Sequence, residues 1–304
     1  MGRAVEALRS MGASIDARQG GRAPLVIRGG ALRGIAYRSP LPSAQIKSAV
    51  LLAGLGLSEG AVRLEEPARS RDHTERLLRW LGAPLSEDGE AIVLGSGARL
   101  EARDWTVPGD ISAAVFFIVA GAITPGSDLT VEGVGLNPTR TGALEALLRM
   151  GARLETEVEA TAGPEPVGRL RVRHGPLRPL TVGGPEVPRL IDEIPVLAVA
   201  AAMAEGVSRF DDVGDLRNKE SDRILATCAM LGALGVETEE HPGGFTVHGR
   251  GRLSGGRVEG RDDHRICMAA RVAGCAASEE VRVDREEMVS TSDPMFFETL
   301  ARLR

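Results

Sequence analysis

The residues most suited to acid–base or anion-binding chemistry lie in short polar clusters, each directly before an apolar stretch. These clusters occupy residues 43–48, 71–75, 192–193, 217–223 and 262–265. Arginine and lysine side chains bind phosphate or carboxylate, and carboxylates beside them can accept and return protons. The clusters at 217 and 263 combine such groups, and the cluster at 192 supplies two carboxylates. Their matching positions favour an active site for an anionic substrate over a set of solvated helix starts.

Lysine is rare in this chain, because Lys47 and Lys219 are the only two lysines among 37 lysine and arginine residues. A compact ammonium fits some phosphate sites that a planar guanidinium does not. Both lysines lie inside polar clusters. We therefore expect both to belong to an anion-binding site.

Composition limits the classes of protein to consider. The chain has 304 residues, 43% hydrophobic and 26% charged, which is typical of a folded protein of about two domains. A net charge of -5 and 3% aromatic residues argue against a nucleic-acid partner. Apolar stretches are shorter than the roughly 18 residues of a membrane span and no leader precedes them, so we expect a cytoplasmic protein without a membrane partner.

The three cysteines, Cys228, Cys267 and Cys275, form neither a C-x-x-C pair nor an even disulfide framework. Each lies in an apolar stretch of helical character. We expect small buried apolar side chains.

One block of elements recurs about four times along the chain. An apolar helix is predicted at residues 43–57, 110–123, 192–204 and 263–277, a strand at 61–66, 128–133, 207–213 and 280–286, and an amphipathic helix at 75–81, 141–150, 224–234 and 295–303. Since the apolar helices carry few polar residues beyond their starts, we expect them to be buried all round. The pattern predicts an α/β protein of repeated βαβ-type units with buried helices.

The polar clusters lie at the starts of these two kinds of helix. Unpaired N–H groups and the positive end of the helix dipole favour phosphate or carboxylate at such positions. Several such helix starts facing one cleft would bind a polyanion despite the negative net charge.

Seven motifs then resemble the 5-enolpyruvylshikimate-3-phosphate (EPSP) synthase family. They are Ser43-Ala44-Gln45-x-Lys47-Ser48, Arg71-Asp72-His73-Thr74-Glu75, Pro108-Gly109-Asp110, Asn137-Pro138-Thr139-Arg140, Asp192-Glu193-Ile194-Pro195, Arg217-x-Lys219-Glu220-Ser221-Asp222-Arg223 and Asp263-His264-Arg265. They follow the family's order and approximate spacing, and the resemblance runs from residue 1 to about residue 302. The first two motifs are similar to the bacterial group associated with glyphosate tolerance.

The resemblance implies the enolpyruvyl transferase fold, an inside-out α/β barrel in two domains with the active site in the cleft between them. By this resemblance, residues 1–105 form an incomplete first domain and residues 106–304 the second. It also implies transfer of the enolpyruvyl group of phosphoenolpyruvate to the 5-hydroxyl of shikimate 3-phosphate, with release of phosphate. This is a step of the shikimate pathway of aromatic amino acid biosynthesis.

Site residues follow from the same resemblance. The shikimate 3-phosphate contacts would be Ser43, Ala44, Gln45, Arg71, Asp192 and Lys219. The phosphoenolpyruvate contacts would be Gln45, Arg223, His264 and Arg265. The catalytic groups would be Asp192 as proton acceptor, Lys219 between the substrates and Glu220 as an acid–base partner. The family implies no cofactor and no metal, and we expect a monomer whose partners are these two small molecules.

Two family features are absent from the sequence, a Lys-Ser-x-x-x-Arg phosphate loop and an Asn-Ala-Gly-Thr turn. The start Met1-Gly2-Arg3 resembles an internal family segment, so we expect a chain that lacks the family's N-terminal portion. Asp293 stands where the family has an aromatic residue, which weakens the match near Thr291 and Ser292.

Two alternatives remain open. An inactive, truncated relative would only bind shikimate phosphate or serve as a structural subunit. The sister enolpyruvyl transferase that acts on UDP-N-acetylglucosamine shares the fold and the donor, but it would lack Lys-Glu-Ser-Asp-Arg. Turnover by the purified chain separates an enzyme from the first alternative.

Overall fold

The computed structural model describes residues 2–159 and 163–302. Met1, at the start of the predicted first domain, and Leu303, at the end of the last predicted helix, lie outside the described residues. The chain forms two compact units, unit 1 with Met1–Val107 and Thr161–Glu165, and unit 2 with Pro108–Ala160 and Pro166–Arg304.

Unit 1 mixes helices and strands. Its helices are α1 (Gly2–Ser10), α2 (Ala44–Gly54) and α3 (His73–Trp80). Its strands are β1 (Ser14–Arg18), β2 (Arg22–Arg28), β3 (Ile35–Arg38), β4 (Ala61–Glu65), β5 (Leu85–Asp88) and β6 (Ala91–Gly95). The first two strands pair as an antiparallel hairpin, and the other four form a sheet in the order β3-β4-β6-β5.

Unit 2 repeats the same kinds of element. Its helices are α4 (Ile111–Ile123), α5 (Gly142–Arg149), α6 (Ile194–Ala202), α7 (Arg223–Ala233), α8 (His264–Ala273) and α9 (Phe296–Arg302). Its strands are β7 (Asp128–Gly135), β8 (Arg153–Glu159), β9 (Val167–Arg173), β10 (Thr181–Val182), β11 (Glu205–Phe210), β12 (Glu237–His241), β13 (Gly244–Arg250), β14 (Gly256–Val258) and β15 (Val281–Val283). They form sheets in the orders β7-β9-β8, β10-β11-β13-β12 and β14-β15.

Parallel strand pairs joined by a helix recur through both units. Strands β3 and β4 are parallel across α2, β10 and β11 across α6, and β14 and β15 across α8. Across α4, Gly109 makes a single parallel bridge to Val134 of β7. The predicted repeat of βαβ-type units is therefore confirmed.

The core of unit 2 is built from the apolar helices α4, α6 and α8, which pack against one another. Every residue of α6 is buried. Strands β7 and β9 pack on α4, and β11 and β13 pack on α6. The arrangement, with helices inside and sheets outside, agrees with the fold expected from the sequence.

Helix α2 differs from the expectation that it is buried all round. It packs against α1, β4 and β6, and these contacts bury Val50 and Leu51. Leu52, on another face of the helix, is 53% exposed. Packing from one side thus leaves part of an apolar helix in contact with water.

Helix boundaries follow the local signals that the sequence carries. The side chains of Ser43, Asp110, Asp222 and Asp263 each accept a backbone N–H at a helix start. Gly82, Gly151 and Gly235 follow helices with φ of +85°, +81° and +80°, a backbone region that glycine adopts without strain.

The strand predicted at residues 280–286 is shorter than expected, since β15 ends at Val283. Arg285 has a φ of +57°, which ends the extended backbone, and a 3-10 helix follows at Glu286–Thr291. Among the cysteines, Cys267 is buried as expected, whereas Cys228 and Cys275 are partly exposed. Across the described residues, no helix combines the length and apolar character of a membrane span.

Candidate active site

The predicted shikimate-phosphate residues of unit 1 lie at the start of α2. Ser43 caps the helix, with its Oγ accepting the N–H of Ile46 at 3.4 Å. Ala44 begins the helix, and Gln45 in its first turn is exposed. A helix start with exposed polar side chains is suited to an anionic group.

Arg71 lies between Ser70 and the start of α3 and is partly exposed. The loop that carries it is tied to Glu66, whose carboxylate accepts the Ser70 hydroxyl at 2.6 Å. On the first turn of α3, His73 Nδ1 lies 2.7 Å from the carboxylate of Glu165. Unit 1 therefore contains both Arg71 and the start of α2, which the sequence predicts to contact shikimate 3-phosphate.

Lys47 is a correction to the sequence prediction. Its side chain is 1% exposed, and Nζ lies 2.9 Å from Glu66 Oε2 and 2.8 Å from Glu75 Oε1. The third contact is to the backbone carbonyl of Ser70, at 3.4 Å. Because an ammonium has three N–H donors, these partners leave no donor for a bound phosphate. Lys47 is a buried structural cation, and the prediction that it belongs to an anion-binding site is wrong.

In unit 2, three predicted residues from separate segments meet. Asp192 lies in a short 3-10 helix (Ile191–Glu193) before α6, Lys219 follows another (Gly214–Asn218), and Arg223 begins α7. Lys219 Nζ lies 3.3 Å and Arg223 Nη1 3.5 Å from the same oxygen, Asp192 Oδ1. Two cations thus flank one carboxylate, which lowers the cost of its negative charge.

The guanidinium of Arg223 is buried and oriented by a residue outside the predicted set. Nε donates to Asp263 Oδ2 at 2.8 Å, and Nη2 donates to Asp263 Oδ1 at 3.2 Å. Nη2 also donates to Glu220, whose side chain is 51% exposed. Asp263 entered the sequence prediction as part of the Asp263-His264-Arg265 motif, without a role of its own. In the structure it also caps α8 by accepting the N–H of Arg265.

The ionisation of Asp263 follows from these contacts. Burial by itself would raise the pKa of its carboxyl, but the hydrogen bonds and positive charge of Arg223, with a hydrogen bond from Ser221, outweigh burial and lower the pKa. Asp263 is therefore a carboxylate that fixes Arg223 in one orientation.

His264 and Arg265 share the first turn of α8. Arg265 Nη1 donates to the backbone carbonyl of Asp192 at 3.2 Å, which links the start of α8 to the turn before α6. Burial lowers the pKa of His264, and the positive charge of Arg265 lowers it further. His264 is consequently neutral near pH 7, where one ring nitrogen can donate a hydrogen bond and the other can accept one.

A second buried group next to Asp192 was not in the predicted set. Glu193 accepts a hydrogen bond from the Ser112 hydroxyl rather than capping α6, and that hydroxyl in turn accepts one from Arg140. Arg140 Nη2 lies 3.7 Å and Arg265 Nη1 4.0 Å from Glu193 Oε1. Burial raises the pKa of Glu193, and the nearby arginines only partly offset it. The only signal for Glu193 in the sequence is its position directly after Asp192, and a carboxylate at that position could equally be a helix cap.

Within residues 2–159 and 163–302, no group of three or more histidine, cysteine or acidic side chains could hold a metal ion. The chemistry that the described groups offer is proton transfer and anion binding.

Helices inside, sheets outside and a repeated βαβ unit define the enolpyruvyl transferase fold. The enolpyruvyl transferase NikO from Streptomyces tendae shares this fold, with a TM-score of 0.80 at 20% identity over 99% of this chain and 70% of that chain. EPSP synthase from Acinetobacter baumannii is more similar, with a TM-score of 0.91 at 40% identity over 100% of this chain and 70% of that chain.

Residues 1–300 match the family model described as EPSP synthase (3-phosphoshikimate 1-carboxyvinyltransferase). The 3-phosphoshikimate 1-carboxyvinyltransferase of Gloeobacter violaceus is 50% identical over 99% of this chain and 70% of that protein. The protein of that name from Thermus thermophilus is 49% identical over 100% of this chain and 70% of its own length. The chain belongs to the EPSP synthase family, as the motifs predicted, and spans about 70% of the length of these relatives.

Proposed function

We propose that this chain transfers the enolpyruvyl group of phosphoenolpyruvate to the 5-hydroxyl of shikimate 3-phosphate and releases phosphate. The observation that carries the proposal is the group of Asp192, Lys219 and Arg223, in which one carboxylate lies beside an ammonium and an oriented guanidinium. Membership of the EPSP synthase family supports the reaction class. The reaction is a step in aromatic amino acid biosynthesis by the shikimate pathway.

Shikimate 3-phosphate would be bound by two sets of residues. At the start of α2, the Ser43 side chain, the Ala44 backbone and the Gln45 amide supply polar contacts, and Arg71 supplies the positive charge for the phosphate. In unit 2, Asp192 and Lys219 would contact the ring hydroxyl that reacts. Within unit 1, Arg71 and Gln45 reach solvent, and within unit 2 the Asp192 carboxylate lies beside Lys219.

Phosphoenolpyruvate carries a carboxylate and a phosphate, and Arg223 and Arg265 would bind these groups, with His264 and Gln45 beside them. In the structure Glu220 accepts a hydrogen bond from Arg223 Nη2. The Glu220 carboxylate is half exposed, whereas Asp263 is buried. We therefore propose that a substrate anion replaces Glu220 as the acceptor from Arg223 Nη2, while Asp263 keeps its two hydrogen bonds from Arg223. Glu220 would then be released toward the reacting atoms.

The proton transfers assign roles to three residues. In the addition step a bond forms between the 5-hydroxyl oxygen and C2 of phosphoenolpyruvate, Asp192 accepts the hydroxyl proton, and C3 gains a proton from Lys219 or Glu220. In the elimination step the bond from C2 to the phosphate oxygen breaks, phosphate leaves, and C3 returns a proton. General acid–base groups of this kind contribute about 10² to 10⁴ in rate.

The experiment is an assay of the purified chain with both substrates, in which ³¹P NMR follows phosphate release and ¹H NMR follows the vinyl protons of the product. Equal formation of phosphate and enolpyruvyl product supports the proposal. Shikimate in place of shikimate 3-phosphate is the control for the phosphate contact, and UDP-N-acetylglucosamine is the control for the sister reaction. Binding of shikimate 3-phosphate without release of phosphate would favour the binding-only alternative.

We propose that unit 1 corresponds to the first and unit 2 to the second enolpyruvyl transferase domain, in place of the predicted limits at 105 and 106. The monomeric state, the cytoplasmic location and the absence of a nucleic-acid partner stay predictions from the sequence. Sedimentation of the purified chain, alone and with DNA, tests two of them directly.

A further inference from the structure

A buried group of charges lies beneath the start of α2 in unit 1. Lys47, Glu66 and Glu75 have side-chain exposures of 1%, 6% and 3%. One ammonium therefore faces two carboxylates away from water. Burying charges costs free energy unless each charge is paired, so this group depends on the ion pairs and hydrogen bonds that its members make.

The contacts of Glu66 show what the group connects. Its Oε1 accepts the backbone N–H of Ser43 at 3.1 Å and the hydroxyl of Ser70 at 2.6 Å. Its Oε2 accepts from Lys47 Nζ at 2.9 Å and from the backbone N–H of Ser70 at 3.4 Å. Each oxygen thus accepts two hydrogen bonds. The Glu66 carboxylate links Ser43, which caps α2, to Ser70, which directly precedes Arg71.

Lys47 adds a third connection. It lies in the first turns of α2, and its ammonium contacts the Ser70 carbonyl and the carboxylate of Glu75 in the first turn of α3. A second contact between α2 and α3 joins Ser48 Oγ and Thr74 Oγ1, which lie 2.6 Å apart. The start of α2, the Arg71 loop and the start of α3 are therefore joined through one buried cation and two buried carboxylates.

This geometry also explains a lysine in a chain that otherwise uses arginine. An ammonium directs three N–H donors from one atom, which suits three acceptors on three segments, while a guanidinium is planar and larger. Arginine at position 47 would have to displace Glu66, Glu75 or the Ser70 loop.

We propose that Glu66 and Lys47 are positioning residues that hold Ser43, Gln45 and Arg71 in the arrangement that binds the phosphate of shikimate 3-phosphate. The inference rests on the proposed function, since the residues that these two side chains hold are the ones proposed to bind shikimate 3-phosphate. Neither residue touches the substrate, and both act through the segments that they join.

The main test is Glu66→Gln, which preserves shape but replaces one acceptor oxygen with an NH₂ group that faces donors. We expect the dissociation constant for shikimate 3-phosphate, measured by calorimetry, to rise at least about tenfold, since misplaced binding groups cost up to about a hundredfold. The KM for phosphoenolpyruvate should change less than about twofold. Lys47→Arg should weaken binding in the same way. Glu87→Gln is the matched control, because it removes a carboxylate of unit 1 whose ion-pair partners are the exposed Arg69 and Arg79.

Ser70→Ala is the second variant, and it decides the matter if Glu66→Gln fails to fold. It removes only the hydroxyl contact to Glu66 and fits the same space. We expect weaker shikimate 3-phosphate binding with a smaller loss of melting temperature than in Glu66→Gln, because Glu66 Oε1 still accepts the N–H of Ser43. Wild-type affinity in Ser70→Ala, or a Glu66→Gln protein that melts lower yet binds normally, would show a purely structural group and overturn the proposal.

Hydrogen exchange of the unliganded proteins separates this inference from the proposed function. We expect faster exchange at residues 43–47 and 70–75 in Glu66→Gln than in wild type or Glu87→Gln. If wild type fails to bind shikimate 3-phosphate, the proposed function fails, and wild-type exchange in these segments of the variant would overturn the positioning role as well.

Discussion

Asp263 fixes the guanidinium of Arg223 through two parallel hydrogen bonds, from Nε to Oδ2 at 2.8 Å and from Nη2 to Oδ1 at 3.2 Å. Both side chains are almost fully buried, at 0% and 1% exposure. A bidentate pair is directional as well as strong, so the remaining Nη1 is turned toward Asp192. Asp263 thereby orients Arg223 beside Asp192, the residues proposed here to bind phosphoenolpyruvate and to accept the hydroxyl proton.

Asp263→Asn tests this relationship. The amide replaces one accepting oxygen with a donor that faces the guanidinium, and breaking a buried pair costs about 3 kcal/mol. We expect the free energy of unfolding to fall by about that amount and the KM for phosphoenolpyruvate to rise more than that for shikimate 3-phosphate. Urea denaturation and steady-state kinetics provide the two measurements. Asp262→Asn is the matched control, since Asp262 is exposed; equal effects from both variants would contradict the assignment.

Asp192→Asn tests the proton acceptor. The amide keeps the size of the side chain but cannot accept the hydroxyl proton, so kcat should fall about 10² to 10⁴ while shikimate 3-phosphate still binds. Stopped-assay kinetics and calorimetry on the same preparation check the two parts. A rate loss below about tenfold would show that another group accepts the proton.

Lys219→Arg tests whether Lys219 transfers a proton or only supplies charge. Its Nζ lies 3.3 Å from Asp192 Oδ1, and a guanidinium at this position keeps the charge but does not give up its proton near neutral pH. We expect kcat to fall at least about tenfold, because acid–base catalysis would be lost. Arg149→Lys, on the exposed face of α5, is the control. Wild-type kinetics in Lys219→Arg would reduce Lys219 to a counter-charge.

Glu193→Gln tests the buried carboxyl beside Asp192 through pH. Burial raises its pKa above the ordinary 4.5, so the fold favours the protonated form. The stability that Glu193 contributes is complete below the ordinary pKa and is lost as pH rises through the raised value. Glutamine has no such loss, so the free energy of unfolding of the variant relative to wild type should increase as the pH rises from the ordinary pKa of 4.5 through the raised pKa. Urea unfolding of both proteins at several pH values measures this difference in the free energy of unfolding. A difference that does not change with pH would be inconsistent with a raised pKa of Glu193.

Sequence patterns determined much of the architecture. The four apolar helices were predictable because nearly every residue beyond their starts is apolar, and Ser43, Asp110, Asp222 and Asp263 were predictable as caps because capping is local. The order of the motifs was sufficient to place the chain in its family. Such signals depend on residues within a few positions of one another, so they survive without knowledge of tertiary contacts.

Which groups each charged side chain pairs with was decided by the tertiary structure. Arg223 and Asp263 are 40 residues apart, and Ser112 and Glu193 are 81 apart, so no local spacing could pair them. Lys47 shows the limit most clearly, because its position in a polar cluster at a helix start fits an anion site and a buried ion pair equally well. The choice depended on Glu66 and Glu75, which reach Nζ only after β4 and α3 pack beside α2. Once those acceptors surround the ammonium away from water, its charge is satisfied within the protein, and Lys47 has no free donor for a substrate anion.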